Sequence, residues 1–173
     1  MKTTPVSVSF SNMPALFLVL ILLAAGCRSG TAIYVVRHAE KAAPSGDVPL
    51  SGDGLQRAED LKNVLQDKNI SAVYSTAFER TKQTAWPMAQ LINKPVEFYN
   101  NGDSLLKVLT RRKGKNFLVV GHSYTVPQII RSIGLQPGFE GDIPDNQYDN
   151  LFKITVSKKE TSVVVTKYGV RSE

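Results

Sequence analysis

The chain has 173 residues, 42% hydrophobic and 21% charged, with a formal net charge of +6 at pH 7. That length suits one well-buried domain and is too short for two, and no repeat or low-complexity tract points to a solenoid or a disordered chain. One cysteine excludes an intrachain disulfide, no Cys/His cluster has zinc spacing, and dispersed Lys and Arg with no aromatic-basic motif argue against nucleic-acid binding. The basic excess is either a solvated surface or a field that draws anionic substrates.

Residues 15–25 are a continuous apolar run that follows Lys2 and a polar stretch and ends in Gly26-Cys27; the first acidic residue of the chain is Glu40. The run is too short to span a bilayer core of ~30 Å comfortably, but it has the length of a signal-peptide h-region. Leu23-Ala24-Ala25-Gly26-Cys27 resembles a bacterial lipoprotein processing box, with Ala24 where that box usually has Leu. The resemblance implies a signal peptide over residues 1–27, a lipid on Cys27 as the first mature residue, and a membrane-anchored, exported protein at the periplasmic face or outer membrane. Arg28, in place of Asp, implies no retention at the inner membrane. An uncleaved anchor and ordinary secretion are the alternatives.

Residues 28–173 are expected to form a single domain. Ala32-Ile33-Tyr34-Val35-Val36 reads as a fully buried strand. Residues 51–68 read as a helix capped by Ser51, with Leu55, Ala58, Leu61, Val64 and Leu65 on one face. Ala72-Val73-Tyr74-Ser75 is a second strand, followed by a helix over 78–92 that Pro87 should kink. Residues 95–98 are a short third strand and 103–112 a short helix. Phe117-Leu118-Val119-Val120 is a fourth, buried strand, with a helix over 125–133 and a Gly/Pro/Asp-rich loop over 134–146. Two last strands, 151–156 and 162–167, flank Lys158-Lys159 as a hairpin. Strands alternating with helices predict an α/β chain, a three-layer α/β/α sandwich on a mostly parallel sheet.

Both histidines of the chain fall just past the carboxyl end of a buried strand: His38 after Val35-Val36-Arg37, His122 after Val119-Val120-Gly121. Open parallel sheets bind ligands at such ends. Arg80, in the first turn after the second strand, would join Arg37, His38 and His122 if the three strands are neighbours. Two guanidinium groups and two imidazoles facing one space call for an anion, and a phosphoryl group matches the guanidinium fork. Gly121-His122-Ser123-Tyr124-Thr125 nearly spells a Gly-x-Ser-x-Gly nucleophile elbow, but Thr125 replaces the last Gly and no histidine follows Ser123. Ser123 reads instead as a helix cap, with helix amides facing the phosphate.

Val36-Arg37-His38-Ala39-Glu40 resembles the Arg-His-Gly motif of the histidine phosphatase superfamily, branch 1, which has the phosphoglycerate mutase-like fold. Leu50 to Ala58, Tyr74-Ser75-Thr76 with Arg80 to Ala85, and Gly121-His122-Ser123 resemble three further blocks of that family, in family order. The resemblance implies a metal-independent phosphatase acting on phosphomonoesters or phosphohistidine. His38 would be transiently phosphorylated, and Arg37, Arg80 and His122 would bind the phosphoryl oxygens. The implied partner is a small phosphorylated substrate or a phosphoprotein, and no cofactor is implied.

The chain departs from that pattern in two places. Ala39 stands where the family usually has Gly, which requires a backbone without positive φ. The stretch from Ala85 to Asn116 lacks the mutase insert that supplies an acidic proton donor, which argues against mutase activity. It offers only Glu97, within a strand, and Asp103, which opens a short helix and is therefore the candidate general acid. Glu40 and Lys41 would either border the cleft mouth or stand in solvent. The competing function is a phosphate-ligand-binding lipoprotein of the same fold that turns nothing over.

Overall fold

Alternation along the buried strands decides the layering. In a computed structural model that describes residues 30–172, Ile33 and Val35 of β1 (Thr31–Arg37) face one side of the sheet, while Ala32, Tyr34 and Val36 face the other. β2 (Ile70–Ser75) and β4 (Asn116–Gly121) divide in the same way, with Tyr74, Phe117 and Val119 on the first side and Val73, Leu118 and Val120 on the second. Strands that are apolar on both faces must be covered twice. α1 (Gly52–Leu65) and α2 (Glu79–Leu91) cover the second face through Leu61, Leu65, Ala85, Met88 and Ala89. α3 (Gly102–Leu109) and α4 (Thr125–Arg131) cover the first through Leu106, Leu109, Val126, Ile129 and Ile130.

The sheet has six strands in the order β3-β2-β4-β1-β5-β6. β3 (Val96–Phe98), β2, β4 and β1 are mutually parallel. β5 (Asn150–Val156) runs antiparallel to β1 and forms a hairpin with β6 (Thr161–Lys167) at the edge. The expected three-layer α/β/α sandwich on a mostly parallel sheet is what the chain forms. The apolar run at 15–25 and Cys27 lie outside the described residues; among these, no helix is long and apolar enough to cross a membrane.

Three local expectations need correction. Ser51 does cap α1, its side chain accepting a hydrogen bond from the Gly54 amide at 3.1 Å. The buried face of that helix is Gly54, Arg57, Ala58, Leu61 and Leu65, whereas Leu55 and Val64 are exposed. A 3.6-residue period leaves the centre of an apolar stripe uncertain by one position, and here packing against the loop after β1 rotates it toward Arg57. Arg57 is buried because its guanidinium meets Glu40: Nε lies 2.8 and 2.9 Å from the two carboxylate oxygens, Nη2 lies 2.6 Å from Oε1, and Nη1 donates to the carbonyls of Tyr168 and Val170. Glu40 thus ties the loop after β1 to α1 and the C-terminal segment instead of bordering a cleft, and Lys41 forms a bridge with Leu50. Gly54 is required there, since a Cβ would collide with the Glu40 carbonyl. The third correction concerns the end of β4: α4 begins at Thr125 without a side-chain cap at its start, and Ser123 contributes only its carbonyl, to the Ile143 amide.

Candidate active site

Strand order brings the four singled-out residues together. β4 lies between β1 and β2, with Arg37 opposite Gly121 and Ser75 opposite Val120 in register. One residue further along β1 and β4, His38 and His122 come side by side, their ring centroids 5.6 Å apart. The His38 amide continues the ladder by donating to the Gly121 carbonyl at 2.9 Å. Arg80, in the first turn of α2, reaches across so that its Nη2 lies 3.4 Å from His122 Nδ1. Arg37, His38 and His122 are all buried, at 4%, 4% and 3% exposure, so the group sits inside the protein and not on a wet surface.

The protonation pattern follows from the partners. His38 Nδ1 lies 2.8 Å from the Ala39 carbonyl, which can only accept, so Nδ1 carries the hydrogen and Nε2 keeps a free lone pair. Burial pushes the His38 pKa down to about 3; the Ala39 bond opposes this, while Arg37, Arg80 and His122 add to it. His122 is pushed down to about 4, first by burial and then by Arg80 and Arg37, with Asp47 acting the other way. Its Nδ1 faces a guanidinium, so Nε2 bears the hydrogen and donates to Thr76 Oγ1 at 2.9 Å; Thr76 bonds Thr81 Oγ1 at 2.8 Å, and Thr81 Oγ1 lies 2.8 Å from the Phe78 carbonyl. That chain fixes the tautomer of His122 from behind.

Each arginine is clamped by a loop. Arg37 Nη1 donates to the carbonyls of Pro144, Asp145 and Gln147 at 2.8–3.3 Å, its Nη2 meets the Asp145 carboxylate at 3.3 Å, and its guanidinium carbon lies 4.3 Å over the Tyr148 ring. Arg80 lies over the Phe78 ring at 4.5 Å and 3.9 Å from the Asp47 carboxylate, which also accepts the Glu79 amide at the start of α2. The Nε atoms of both arginines are buried and have no protein partner among the described residues. Leaving such a donor unpaired costs about 1–3 kcal/mol, which an oxyanion would relieve.

The remaining motif residues support the loop that follows His38. Thr84 Oγ1 accepts the Ala39 amide at 3.0 Å, and Gln83 Oε1 accepts the Leu50 amide at 2.8 Å. Ala39 is fully buried and is not among the residues with positive φ, which accounts for alanine at this position. Gly121 must be glycine for a different reason: a Cβ would lie 2.5 Å from Thr125 Oγ1 and 2.9 Å from Tyr99 Oη. Asp103 is exposed, lining a cavity that His122 also lines, and Glu97 is exposed in β3. Thr76 and Tyr148 were missed in the sequence. Thr76 stood inside a motif block with no assigned role, and Tyr148 lies in a loop whose path no local pattern indicates. Among the described residues no group of three or more His, Cys, Asp or Glu side chains could hold a metal ion.

Two arginines with unpaired buried Nε donors and a bare imidazole nitrogen, at the carboxyl ends of parallel strands in an α/β sandwich, form a pocket whose donors suit an oxyanion. Residues 33–101 match the model of the histidine phosphatase superfamily (branch 1). The fold is shared with a phosphoserine phosphatase from Entamoeba histolytica solved with 3-phosphoglyceric acid, at 15% identity over 81% of this chain and 97% of that one, with a TM-score of 0.59. A proposed phosphohistidine phosphatase, SixA, from Agrobacterium tumefaciens also shares it, at 15% identity over 81% and 98%, with a TM-score of 0.60. A phosphoglycerate mutase from Plasmodium falciparum does so at 15% identity over 84% and 94%, with a TM-score of 0.55. No curated protein matches the chain in sequence. The family match spans less than half of the chain, and the solved structures show that the chain shares their fold.

Proposed function

We propose that the chain is a phosphatase that hydrolyses phosphomonoesters or phosphohistidine through a phospho-His38 intermediate. The observation that carries this reading is His38 held as the Nδ1–H tautomer beside two arginines whose buried Nε donors lack protein partners. The Nε2 lone pair attacks phosphorus, the bond from phosphorus to the leaving group breaks, and the leaving atom takes up a proton. Arg37, Arg80 and His122 offset the charge that spreads over the equatorial oxygens. Water then attacks phosphorus, the P–N bond breaks, inorganic phosphate leaves, and the proton released from water balances the one taken up. The absence of the mutase insert between Ala85 and Asn116 favours hydrolysis over mutase chemistry.

p-Nitrophenyl phosphate, whose leaving group needs no proton, isolates the phosphoryl half of the reaction. It should be hydrolysed by the wild type and inhibited competitively by vanadate, and His38→Ala should lower the rate by at least about 10³-fold. Phosphate binding without turnover on a broad panel of phosphoesters would make the chain a binding protein and overturn this reading. We further propose, from residues 15–27 alone, that the protein is exported and lipid-anchored through Cys27. Fatty-acid analogue labelling that survives Cys27→Ser would refute the anchor.

A further inference from the structure

The arginine pocket is not the whole recess. A cavity of ≈340 Å³ shares His122 with it and is walled by Phe78, Asn100, Asp103, Tyr124 and Gln128 among others. A phosphoryl group held at His38, Arg37, Arg80 and His122 has this cavity as the adjoining space for its leaving group.

The charge on that wall is one-sided. Among the described residues no Lys or Arg lines the cavity, and Asp103 is the one formally charged residue that does. α3 begins at Gly102, and a helix start presents roughly half a positive charge. Asp103 stands in that first turn, so its full negative charge outweighs the helix end and is stabilised by it. Phe78 and Tyr124, 41% and 46% exposed, flank His122 on this side: Phe78 meets the imidazole edge-on at 5.0 Å, and Tyr124 stacks on it with the rings 7° apart. Phe78 already carries the Arg80 guanidinium over its ring. Asn100 and Gln128 add neutral amides. Aromatic faces with one carboxylate hold an organic ammonium group and repel a second carboxylate or phosphate.

We propose that this cavity selects phosphate esters whose leaving group carries an alkylammonium group, with Asp103 as the specificity-determining residue that meets the ammonium group, and not as a proton donor. The inference rests on the phosphatase function proposed for the His38 site. The full chain is assayed for phosphate release from phosphocholine (cationic leaving group), glycerol 2-phosphate (uncharged) and 3-phosphoglycerate (anionic), with p-nitrophenyl phosphate as reference. kcat/KM for phosphocholine should exceed that for glycerol 2-phosphate by about tenfold, the sum of one exposed ion pair and one cation–π contact. 3-Phosphoglycerate should rank last, and the spread should lie mainly in KM and shrink at high salt. Asp103→Asn should bring the phosphocholine to glycerol 2-phosphate ratio toward one, Asp103→Glu should keep it, and Asp103→Lys should move 3-phosphoglycerate to the top. Hydrolysis of p-nitrophenyl phosphate without any charge preference among the three alkyl esters would overturn this inference alone. So would equal slowing of all three in Asp103→Asn at an unchanged ratio, which would make Asp103 the proton donor. Failure to hydrolyse p-nitrophenyl phosphate at all would sink the phosphatase reading, and this inference with it.

Discussion

Acidification should destabilise this protein through its two histidines, beginning near pH 6.5. In the unfolded chain both titrate near 6.5; in the fold they stay neutral down to about 3 for His38 and about 4 for His122. Between those limits the unfolded state binds more protons than the native one, so stability is full above pH 6.5 and falls as the pH drops through that window. At pH 5 each histidine forfeits about 2 kcal/mol, and the pair about 4 kcal/mol. For a domain of this size that corresponds to a drop in Tm of roughly 10 °C between pH 7 and pH 5. Asp149 does not blur the window. Burial would raise its pKa, but the bonds from Lys167 and the Ser172 amide outweigh that and hold it below 3.8, so its contribution is lost only in stronger acid. The assay is thermal unfolding at constant ionic strength for wild type, His38→Gln, His122→Gln and the double variant. Each single variant should remove about half of the acid sensitivity and the double nearly all of it. Inorganic phosphate should also reduce it, because an anion between the arginines favours imidazolium. A wild-type Tm that falls no more steeply than that of the double variant would refute the reasoning.

Glu40→Ala strands the Arg57 guanidinium in a buried place and should cost about 3 kcal/mol in urea unfolding, with the m-value unchanged. Gly121→Ala drives a methyl group against Thr125 Oγ1 and Tyr99 Oη. Thr125 Oγ1 also accepts the His122 amide at 2.6 Å, so hydrolysis of p-nitrophenyl phosphate should fall by about 10²-fold as His122 is displaced. Ala39→Gly gains no allowed conformation that the native backbone uses and loses a buried methyl group; it should lower stability by about 1 kcal/mol, read as a Tm a few degrees lower.

Much of the site was legible in the chain because its signals are local. A run such as Tyr34-Val35-Val36 reads as a doubly covered strand, and a parallel sheet exposes reactive side chains just past its strand ends, so Arg37, His38 and His122 could be placed before any neighbour was known. Arg80 was legible through its position in the first turn of the helix after β2. What the sequence left open was which strands adjoin: the quartet meets only because β4 lies between β1 and β2. The same limit hid the face of α1, where Arg57 displaces Leu55 and Val64 from the buried side because Glu40 waits opposite it. It also hid the clamp on Arg37 from Pro144, Asp145, Gln147 and Tyr148, which arrive from a loop after α4. The role of Thr76 behind His122, and the cavity that gathers Asp103 with Phe78 and Tyr124, were hidden likewise. Hydrophobic period and strand-end position are set by residues adjacent in the chain, so sequence alone determined them. Protonation state, burial of charge and the company each side chain keeps depend on contacts between distant segments, and only the packed tertiary structure decided those.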